Sequence, residues 1–370
     1  MRLTSLDVFR GIAIASMILV NNASLGEQVY PFLDHADWQG CTFADLVFPF
    51  FLFIVGAAMS FSVPAYNPAQ PPTKSIYGRI LRRSAILFAL GLFLNGFWNY
   101  DFSTIRIMGV LQRISVAYLL AALAIINLPR KWLWAIAGII LIGYWGAMSA
   151  IPVPEYGAGI LTREGNLGAY IDRLIITTTH LYKGDNFRSL GDPEGLFSTL
   201  PAVVTVLSGY FSAQWLRVQP IQSRTSLGLV LFGIGCLGTG WLWGLEFPII
   251  KKLWTSSYVL FTTGWCLLLL AACYELIEVR NYRRWGKPFE AMGLNAIFAF
   301  VASVLLIKIL VKTHIGTGEA APTTYTWLSQ QILFFWTSPI NASWLFAIAT
   351  LLFWMAILYI MYRQRWFWKL

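Results

Sequence analysis

Long apolar runs recur along the whole of this 370-residue chain. Many of them reach the length of about 20 residues that a helix needs to cross a hydrocarbon core of about 30 Å. The chain is 57% hydrophobic and 12% charged, whereas a soluble domain carries about 25% charged residues. These features predict an all-α polytopic membrane protein, and the sequence lacks the short alternating strands of a transmembrane barrel.

The apolar runs predict ten transmembrane spans in a single domain that covers residues 1–370. Their expected positions are 8–25, 44–62, 80–98, 108–128, 132–150, 195–216, 226–244, 255–275, 291–311 and 342–362. Two of the segments between spans are long, 151–194 and 312–340, and the first includes a short predicted helix near Ala169–Thr177. Within the second, Thr324–Trp336 is apolar but short for a span, which favours a re-entrant or interfacial segment.

The basic residues are distributed unevenly across the ten predicted spans. Of the 27 Lys and Arg residues, seventeen fall on the side that holds both termini, eight on the other side and two within spans. Because excess positive charge marks the cytoplasmic side, both termini are predicted to be cytoplasmic. Membrane orientation thus accounts for the net charge of +10, and we expect no nucleic-acid partner. The first apolar run lacks a cleavage site and is expected to stay as a helix.

The sequence carries none of the metal or nucleotide motifs typical of soluble enzymes. Its four cysteines give no disulfide framework. His35, His180 and His314 show no metal-ligand spacing, so we expect no metal site. There is also no P-loop and no Gly-x-Gly-x-x-Gly, so any nucleotide-containing cofactor would have to bind among the helices.

His35 is the leading candidate for chemistry. It lies on the predicted outer side between the first two spans, and Asp34, Asp37 and Trp38 flank it. The two carboxylates could orient the imidazole ring, and the indole could shield it from water. A neutral imidazole suits a general base at physiological pH. The alternative is a solvent-exposed loop histidine without a chemical role, and the residues alone leave both interpretations open.

Polar residues also lie at both ends of the first span and at the start of the second. Asp7 and Arg10 are three residues apart, so they share a helix face and can form a structural ion pair. Asn21 and Asn22 lie at the outer end of the first span. An amide there binds a carbonyl oxygen or a sugar hydroxyl, or it caps the helix. Asp45 begins the second span, where a carboxylate favours the positive end of the helix dipole, and we expect it to cap the helix.

Four further polar residues could bind an anionic cofactor. Arg79 and Arg83 are four apart on the predicted inner end of the third span, and guanidinium groups bind phosphate well. Alternatively, these two arginines only mark the cytoplasmic side of the membrane and contact lipid headgroups. Arg113 lies within the fourth span and needs a partner or an anionic ligand. Asn295 enters the ninth span, where it binds a ligand or another helix.

Short sequence blocks distributed over nearly the whole chain form a characteristic set. They are Arg2–Gly11, Val20–Asn21, His35–Gly40, Asp45–Pro49, Arg106–Arg113, Tyr170–Arg173, His180–Tyr182, Asp192–Gly195, Leu253–Tyr258, Met292–Asn295 and Trp366–Lys369. In this order and combination the blocks resemble the heparan-α-glucosaminide N-acetyltransferase family.

The resemblance implies acetyl transfer from cytoplasmic acetyl-CoA, a co-substrate, to the amino group of a glucosamine-type sugar at the outer, periplasmic face. By motif match, His35 corresponds to the family's catalytic histidine and Asn21 to an asparagine beside the acetyl-transfer site. We expect Asn22, Asp34, Asp37 and Trp38 to bind the sugar, Arg79, Arg83, Arg113 and Asn295 to bind acetyl-CoA, and Asp7, Arg10 and Asp45 to support the site.

The chain is similar to bacterial members of the family rather than to lysosomal members, which carry an extra lumenal domain and a preceding helix. We therefore expect a bacterial inner-membrane protein in contact with membrane lipid, and a homodimer is a further expectation. Some bacterial relatives are regarded as N-acetylglucosamine transporters, so amino-sugar transport is the alternative function.

The acetyltransferase hypothesis gives each main residue a role. Arg79 and Arg83 would bind the CoA phosphates. His35 would deprotonate the attacking amine, or attack the thioester itself to form an acetyl-imidazole. Asn21 would stabilise the oxyanion. A transporter would instead use His35 and its neighbouring aspartates to couple sugar uptake to proton movement. The sequence does not choose between the direct and the covalent route.

Overall fold

The structure is a computed structural model, and it describes residues 3–23, 29–184, 186–316, 321–329 and 337–368. Over these residues the chain forms thirteen α-helices and no strand, which confirms the predicted all-α fold. The helices are α1 (Thr4–Ala23), α2 (Phe43–Ser62), α3 (Lys74–Gly96), α4 (Val110–Asn127), α5 (Arg130–Ala150), α6 (Leu167–Ile175), α7 (Leu196–Val218), α8 (Ser223–Trp243), α9 (Ser256–Tyr274), α10 (Lys287–Leu294), α11 (Ala296–Lys312), α12 (Thr324–Ser329) and α13 (Pro339–Arg363). A helix satisfies its own backbone hydrogen bonds, so apolar runs of this length are stable as helices in lipid.

Eight helices of the described chain are long and apolar enough to cross a membrane. They are α1, α2, α4, α5, α7, α8, α9 with its π-helical extension to Val279, and α13. The helix α3 is not among them: it has 23 residues, but four of its first ten are basic. The predicted total of ten spans and the predicted cytoplasmic termini stay predictions.

The ninth predicted span, 291–311, is not one straight helix. It falls on α10 and α11, which meet at Asn295 with a bend of 81° and count as one further span only if taken together. The short helix predicted near Ala169–Thr177 is present as α6. The first six residues of the apolar segment Thr324–Trp336 form α12, and residues 330–336 lie outside the described part of the chain. Ser24 and Leu25, at the end of the first predicted span, also lie outside it.

Contacts between residues divide the chain into two units. The terminal unit comprises Met1–Asp37, Cys41–Phe48 and Ala272–Leu370, and the central unit comprises Trp38–Gly40 and Pro49–Ala271. The helix α2 begins in the terminal unit and continues in the central unit. The expectation of a single domain stays a prediction.

In the terminal unit, α1 packs closely against α10 and α13. Gly11 of α1 lies against the carbonyl oxygen of Phe289, and Gly293 of α10 lies against the carbonyl oxygen of Asp7. A methyl group at either glycine would overlap the facing backbone. Small residues thus allow the two helices to approach as membrane helices commonly do.

In the central unit, α2 and α7 meet through a second reciprocal pair of glycines. A side chain at Gly56 would overlap the carbonyl oxygen of Val206, and one at Gly209 would overlap that of Phe53. The helix α7 is correspondingly well covered by the rest of the protein. In its apolar 18-residue stretch 72% of the residues are buried, whereas the share is 28% in each of α5 and α8. Within the central unit, α5 and α8 therefore have many apolar side chains that are available to lipid.

The substitution Gly209→Ala tests the contact between α2 and α7. Alanine is favoured over glycine in a helix by about 1 kcal/mol, so the change would stabilise the protein if there were room for it. Because the added methyl group would overlap the Phe53 carbonyl, we expect the melting temperature in detergent to fall by several degrees. Overpacking typically costs about 1–3 kcal/mol.

The matched control is Gly143→Ala in α5, where nothing lies within 4 Å of the added methyl group. We expect its melting temperature to stay unchanged or to rise slightly. Equal melting temperatures for the two variants would contradict the close approach of α2 and α7.

Candidate functional site

The imidazole ring of His35 is bound to a buried carboxylate. Its Nδ1 lies 2.8 Å from Oδ1 of Asp45. The Asp45 side chain is 1% exposed, whereas the His35 side chain is 36% exposed. An ionised carboxylate only accepts hydrogen bonds, so this contact places the proton on Nδ1. In the neutral form of the ring, Nε2 then holds the lone pair, which is the arrangement that a general base or a nucleophile requires.

The helix α2 explains why Asp45 is held so firmly. Thr42 precedes the helix, and Oδ2 of Asp45 accepts the Thr42 backbone N–H at 3.0 Å and the Thr42 hydroxyl at 3.1 Å. This is one half of the capping box at a helix N-terminus, in which the side chain of the third helical residue accepts the backbone N–H of the cap residue. The Ala36 N–H also donates to Oδ2, at 3.1 Å. The predicted capping role of Asp45 is therefore present, and its second oxygen is the one that binds His35.

Asp34, the residue before His35, bonds the backbone of His35 rather than its ring. Asp34 accepts the backbone N–H of His35 at 2.9 Å, and its own carbonyl accepts the Thr42 hydroxyl at 2.7 Å. Asp34 therefore shapes the turn, and Asp45 is the residue that contacts Nδ1. The reason is steric: an adjacent residue reaches the backbone of its neighbour more readily than the far side of the ring. The expected role of Asp37 stays a prediction.

Trp38 belongs to the central unit, where it is anchored to the long loop (residues 151–195). Its indole N–H donates to the Leu161 carbonyl at 2.8 Å. The Arg163 guanidinium lies over its ring at 4.9 Å, and the Phe187 ring packs beside it with centroids 6.0 Å apart. The polar end of Trp38 is thus used within the protein, and its expected sugar contact stays a prediction.

Hydroxyl groups from the C-terminal part of the terminal unit bond to the C-terminal end of α1. The Tyr325 hydroxyl lies 3.4 Å from the Asn22 carbonyl oxygen, and the Ser343 hydroxyl donates to the Ala23 carbonyl. The Asn22 amide is buried and donates to the Ile18 carbonyl at 2.6 Å, one turn back in the same helix. Asn21 is partly exposed in this last turn, and its expected role in acetyl transfer stays a prediction.

At the other end of α1, Asp7 and Arg10 form the predicted ion pair, with Nη1 and Oδ1 3.2 Å apart. Arg10 also lies 3.4 Å from the Gly293 carbonyl of α10. The pair therefore joins α1 to α10 at their closest approach, which is the structural role that the spacing predicts.

The four residues expected to bind acetyl-CoA have different surroundings. Asn295, at the bend between α10 and α11, is fully buried and bonds through both ends of its amide to the backbone of Trp366 and Trp368, each at 3.0 Å. Arg79 is exposed on α3, and Arg83 lies over the Tyr118 ring at 4.9 Å. Asn295 thus bonds the segment that follows α13, and its expected contact with acetyl-CoA stays a prediction.

Arg113 lies far from Arg79 along the antiparallel pair of α3 and α4. Asn127, at the end of α4, bonds Tyr77 near the start of α3, whereas Asn95, at the end of α3, bonds the Met108 carbonyl just before α4. The first turns of α3 and α4 are therefore at opposite ends of the pair. Arg113 itself is completely buried and donates to the Ser198 hydroxyl at the start of α7.

A second charged cluster, which the sequence analysis did not assign to a site, lies in the central unit. Arg106 donates through Nε to Asp192 at 2.8 Å and through Nη2 to Glu194, and its guanidinium stacks 4.3 Å from the Tyr182 ring. Burial would raise the pKa of Glu194, but attraction to Arg106 and Arg113 outweighs it and holds that pKa below its ordinary value. The sequence does contain a signal for this cluster. Arg106, Asp192 and Glu194 all lie in blocks that resemble the family, within a chain that has few charged residues.

Asp172 of α6 holds the start of α7. Its Oδ1 accepts the Leu196 backbone N–H at 2.8 Å, which satisfies one of the donors that a helix N-terminus leaves unpaired. Gly195 lies so close to the Asp172 carboxylate that a side chain there would overlap it. Burial raises the pKa of Asp172 to about 7, although the N–H donor acts in the opposite direction.

Comparison with known proteins gives a consistent result. A family model described as Heparan-alpha-glucosaminide N-acetyltransferase, catalytic, matches residues 2–230. The chain is 27% identical over 421 aligned positions to the heparan-alpha-glucosaminide N-acetyltransferase of Homo sapiens, and 27% identical to that of Mus musculus. All of the chain is aligned in both cases, and it spans about 60% of the length of these curated relatives.

The raised pKa of Asp172 predicts how stability depends on pH. The folded protein holds this proton more tightly than the unfolded chain, whose carboxyl pKa is near 3.8. The contribution to stability is therefore complete below about pH 4 and is lost as the pH rises through 7. At 1.36 kcal/mol per pKa unit, the difference between 3.8 and about 7 corresponds to on the order of 4 kcal/mol. We expect the melting temperature of Asp172→Asn to fall less than that of the wild type between pH 5 and 8.

Asp101→Asn is the control for this measurement. Hydrogen bonds from Ser103 and Thr104 lower the pKa of the exposed Asp101 to about 2, so it stays ionised between pH 5 and 8. The Asp101→Asn variant is expected to reproduce the wild-type slope. Parallel pH profiles for Asp172→Asn and the wild type would show that Asp172 does not titrate in this range.

Proposed function

The chain belongs to the heparan-α-glucosaminide N-acetyltransferase family, and from this premise we propose that it transfers the acetyl group of acetyl-CoA to the amino group of a glucosamine-type sugar. The observation that carries the proposal is the contact of 2.8 Å between the His35 ring and the buried Asp45 carboxylate. It gives the chain a partly exposed imidazole with a defined tautomer and a fixed orientation. That is the group required to activate an amine or a thioester.

In the direct route, Nε2 of His35 takes a proton from the sugar amine while the amine nitrogen attacks the thioester carbonyl carbon. The carbon–sulfur bond then breaks, and His35 returns the proton to the CoA sulfur, so that the products are the N-acetylated sugar and free CoA. Asp45 stabilises the imidazolium that forms in between, because its carboxylate is already hydrogen-bonded to Nδ1. Asn21 donates to the oxyanion of the tetrahedral intermediate.

In the covalent route, Nε2 of His35 attacks the thioester itself. CoA leaves as its thiolate and takes a proton from the medium. The sugar amine then attacks the acetyl-imidazole, the bond between Nε2 and the acetyl carbon breaks, and the proton lost by the amine returns to the medium. Asp45 serves this route equally well, because its hydrogen bond to Nδ1 fixes the direction of the ring. The two routes differ in one observable, which is whether the protein carries the acetyl group when no acceptor is present.

We propose that the donor binds from the cytoplasmic side and the acceptor from the opposite, periplasmic side of a bacterial inner membrane. The uneven distribution of basic residues supports this orientation. Arg79 and Arg83, on the basic first turns of α3, are the proposed contacts for the CoA phosphates. Arg113 and Asn295 are left out of the proposed donor site, because both bind groups of the chain itself. Exposed Asp34 and Asp37 are proposed to contact sugar hydroxyls, together with Trp38 and Asn22 in supporting positions.

The proposal is tested by mixing the purified protein with acetyl-CoA and glucosamine and measuring both CoA release and the mass of the sugar product. We expect His35→Ala to abolish turnover while acetyl-CoA still binds. Asp45→Asn should lower kcat by about 10²–10⁴, the usual contribution of general acid–base catalysis. The matched control is His314→Ala, an exposed histidine of the same unit, which should retain wild-type turnover.

Three outcomes separate the alternatives. In the covalent route, radioactive acetyl-CoA should label the wild-type protein but not the His35→Ala variant. Added glucosamine should then remove the label from the protein. Turnover without a labelled protein supports the direct route. A wild-type protein that does not bind acetyl-CoA, but accumulates amino sugar in vesicles, would overturn the proposal in favour of transport.

A further inference from the structure

Exposed basic side chains are concentrated at one end of the terminal unit. They lie in the loop that joins the π-helical extension of α9 to α10, at the start of α10, and at the end of α13. We call this set the basic terminal surface, and its members are Arg283, Arg284, Lys287, Arg363 and Arg365. None of the five forms an ion pair with another residue that the structure describes. Arg280 is left out, because it is paired with Glu275.

The short helix α10 brings the two parts of this surface together. Its first residue is Lys287, and Asn295 directly after its last residue bonds the backbone of Trp366 and Trp368, each at 3.0 Å. A helix of this length spans only about 12 Å. The bend of 81° between α10 and α11 turns α10 across the end of α11. The loop before α10 and the segment after α13 therefore lie at the two ends of one short helix.

The basic terminal surface lies where two membrane-spanning helices end. The extension of α9 ends at Val279, α13 ends at Arg363, and both helices are long and apolar enough to cross a membrane. Residues directly after such helices lie at the level of the lipid headgroups, where Trp and Tyr are also enriched. The two segments carry four exposed aromatic residues, which are Tyr282, Trp285, Trp366 and Trp368. Trp366 and Trp368 are 62% and 67% exposed although their backbone is bonded to Asn295, so these rings are held facing outwards.

Arg365 has a backbone conformation that favours glycine. Its φ is +59°. Its N–H donates to the Tyr362 carbonyl at 3.1 Å, and the next N–H, that of Trp366, donates to the Met361 carbonyl at 2.9 Å. This pair of bonds is the Schellman motif at the end of a helix, in which glycine usually occupies the left-handed position. A strained arginine at such a position indicates that its side chain has a use outside the helix.

We propose that the basic terminal surface binds the headgroups of anionic phospholipids. Residues 280–287 and 363–368 contain six Lys and Arg residues and no Asp or Glu, so their charge is complementary to a lipid phosphate. Guanidinium groups bind phosphate oxygens through two parallel hydrogen bonds. A cluster of about 4–8 basic residues directly beside a spanning helix is typical of an anionic-lipid site. These residues lie on the predicted cytoplasmic side, whose leaflet carries the anionic lipids.

The test titrates short-chain phosphatidylglycerol into the purified full-length protein in neutral detergent. A ligand that binds the folded state raises the melting temperature, so the titration gives an apparent affinity. Short-chain phosphatidylcholine is the uncharged comparison and should have a smaller effect. We expect Arg284→Gln and Arg365→Gly each to weaken the apparent affinity for phosphatidylglycerol about fivefold, the usual contribution of one basic residue near an anionic lipid surface.

The Arg365→Gly variant separates lipid binding from folding. Glycine suits the left-handed position, so without phosphatidylglycerol the melting temperature should equal or exceed that of the wild type. The Arg365→Lys variant keeps the charge and should retain most of the response to phosphatidylglycerol. The matched control is Arg224→Gln, which removes an exposed arginine at the start of α8 in the central unit. It should respond to phosphatidylglycerol as the wild type does.

Three results would overturn the inference. The first is an unchanged response to phosphatidylglycerol in both Arg284→Gln and Arg365→Gly. The second is an equal loss in Arg224→Gln, which would show that the lipid effect is spread over all basic residues. The third is a response to CoA or inorganic phosphate that equals the response to phosphatidylglycerol and is lost in Arg284→Gln, which would assign the surface to free phosphate groups. Turnover is measured separately and involves His35, so failure of the proposed function would leave this inference standing.

Discussion

The absence of water from the bilayer core is the constraint on which this structure depends. A polar or charged group buried there is stable only when the protein itself supplies its partner. The backbone meets this requirement by forming helices, and the charged side chains of a chain with 12% charged residues meet it by pairing. Asp7 pairs with Arg10 where α1 meets α10. Arg106 pairs with Asp192 and Glu194 over the start of α7.

The pair of His35 and Asp45 follows the same rule but leaves one member partly exposed. Asp45 is buried because it completes the N-terminal cap of α2 with Thr42. A single carboxylate thus serves two purposes, since one oxygen stabilises the helix start and the other orients the imidazole ring. The site gains precision from this arrangement, because the ring is held by a regular helix rather than by the loop that carries it.

The central cluster shows how far such pairing can extend. Arg106, Arg113, Asp192 and Glu194 carry balanced charges around the start of α7, and Asp172 binds the first backbone N–H of that helix. Their blocks were visible in the sequence, yet no local rule connects Arg106 to a carboxylate 86 residues later. Arg113 also shows the limit of sequence reasoning, because its position in a span predicted only that it needs a partner.

The sequence by itself determined the fold class, because an apolar run of about 20 residues satisfies its backbone in lipid only as a helix. It also determined the Asp7–Arg10 pair, since residues three apart on a helix are neighbours by local geometry. It made His35 the leading candidate for chemistry, and the tertiary structure then placed the carboxylate of Asp45 against its ring. Only the folded chain could decide this, because a contact between a loop and a helix start depends on how the chain turns between them, and helical periodicity carries no information about that turn.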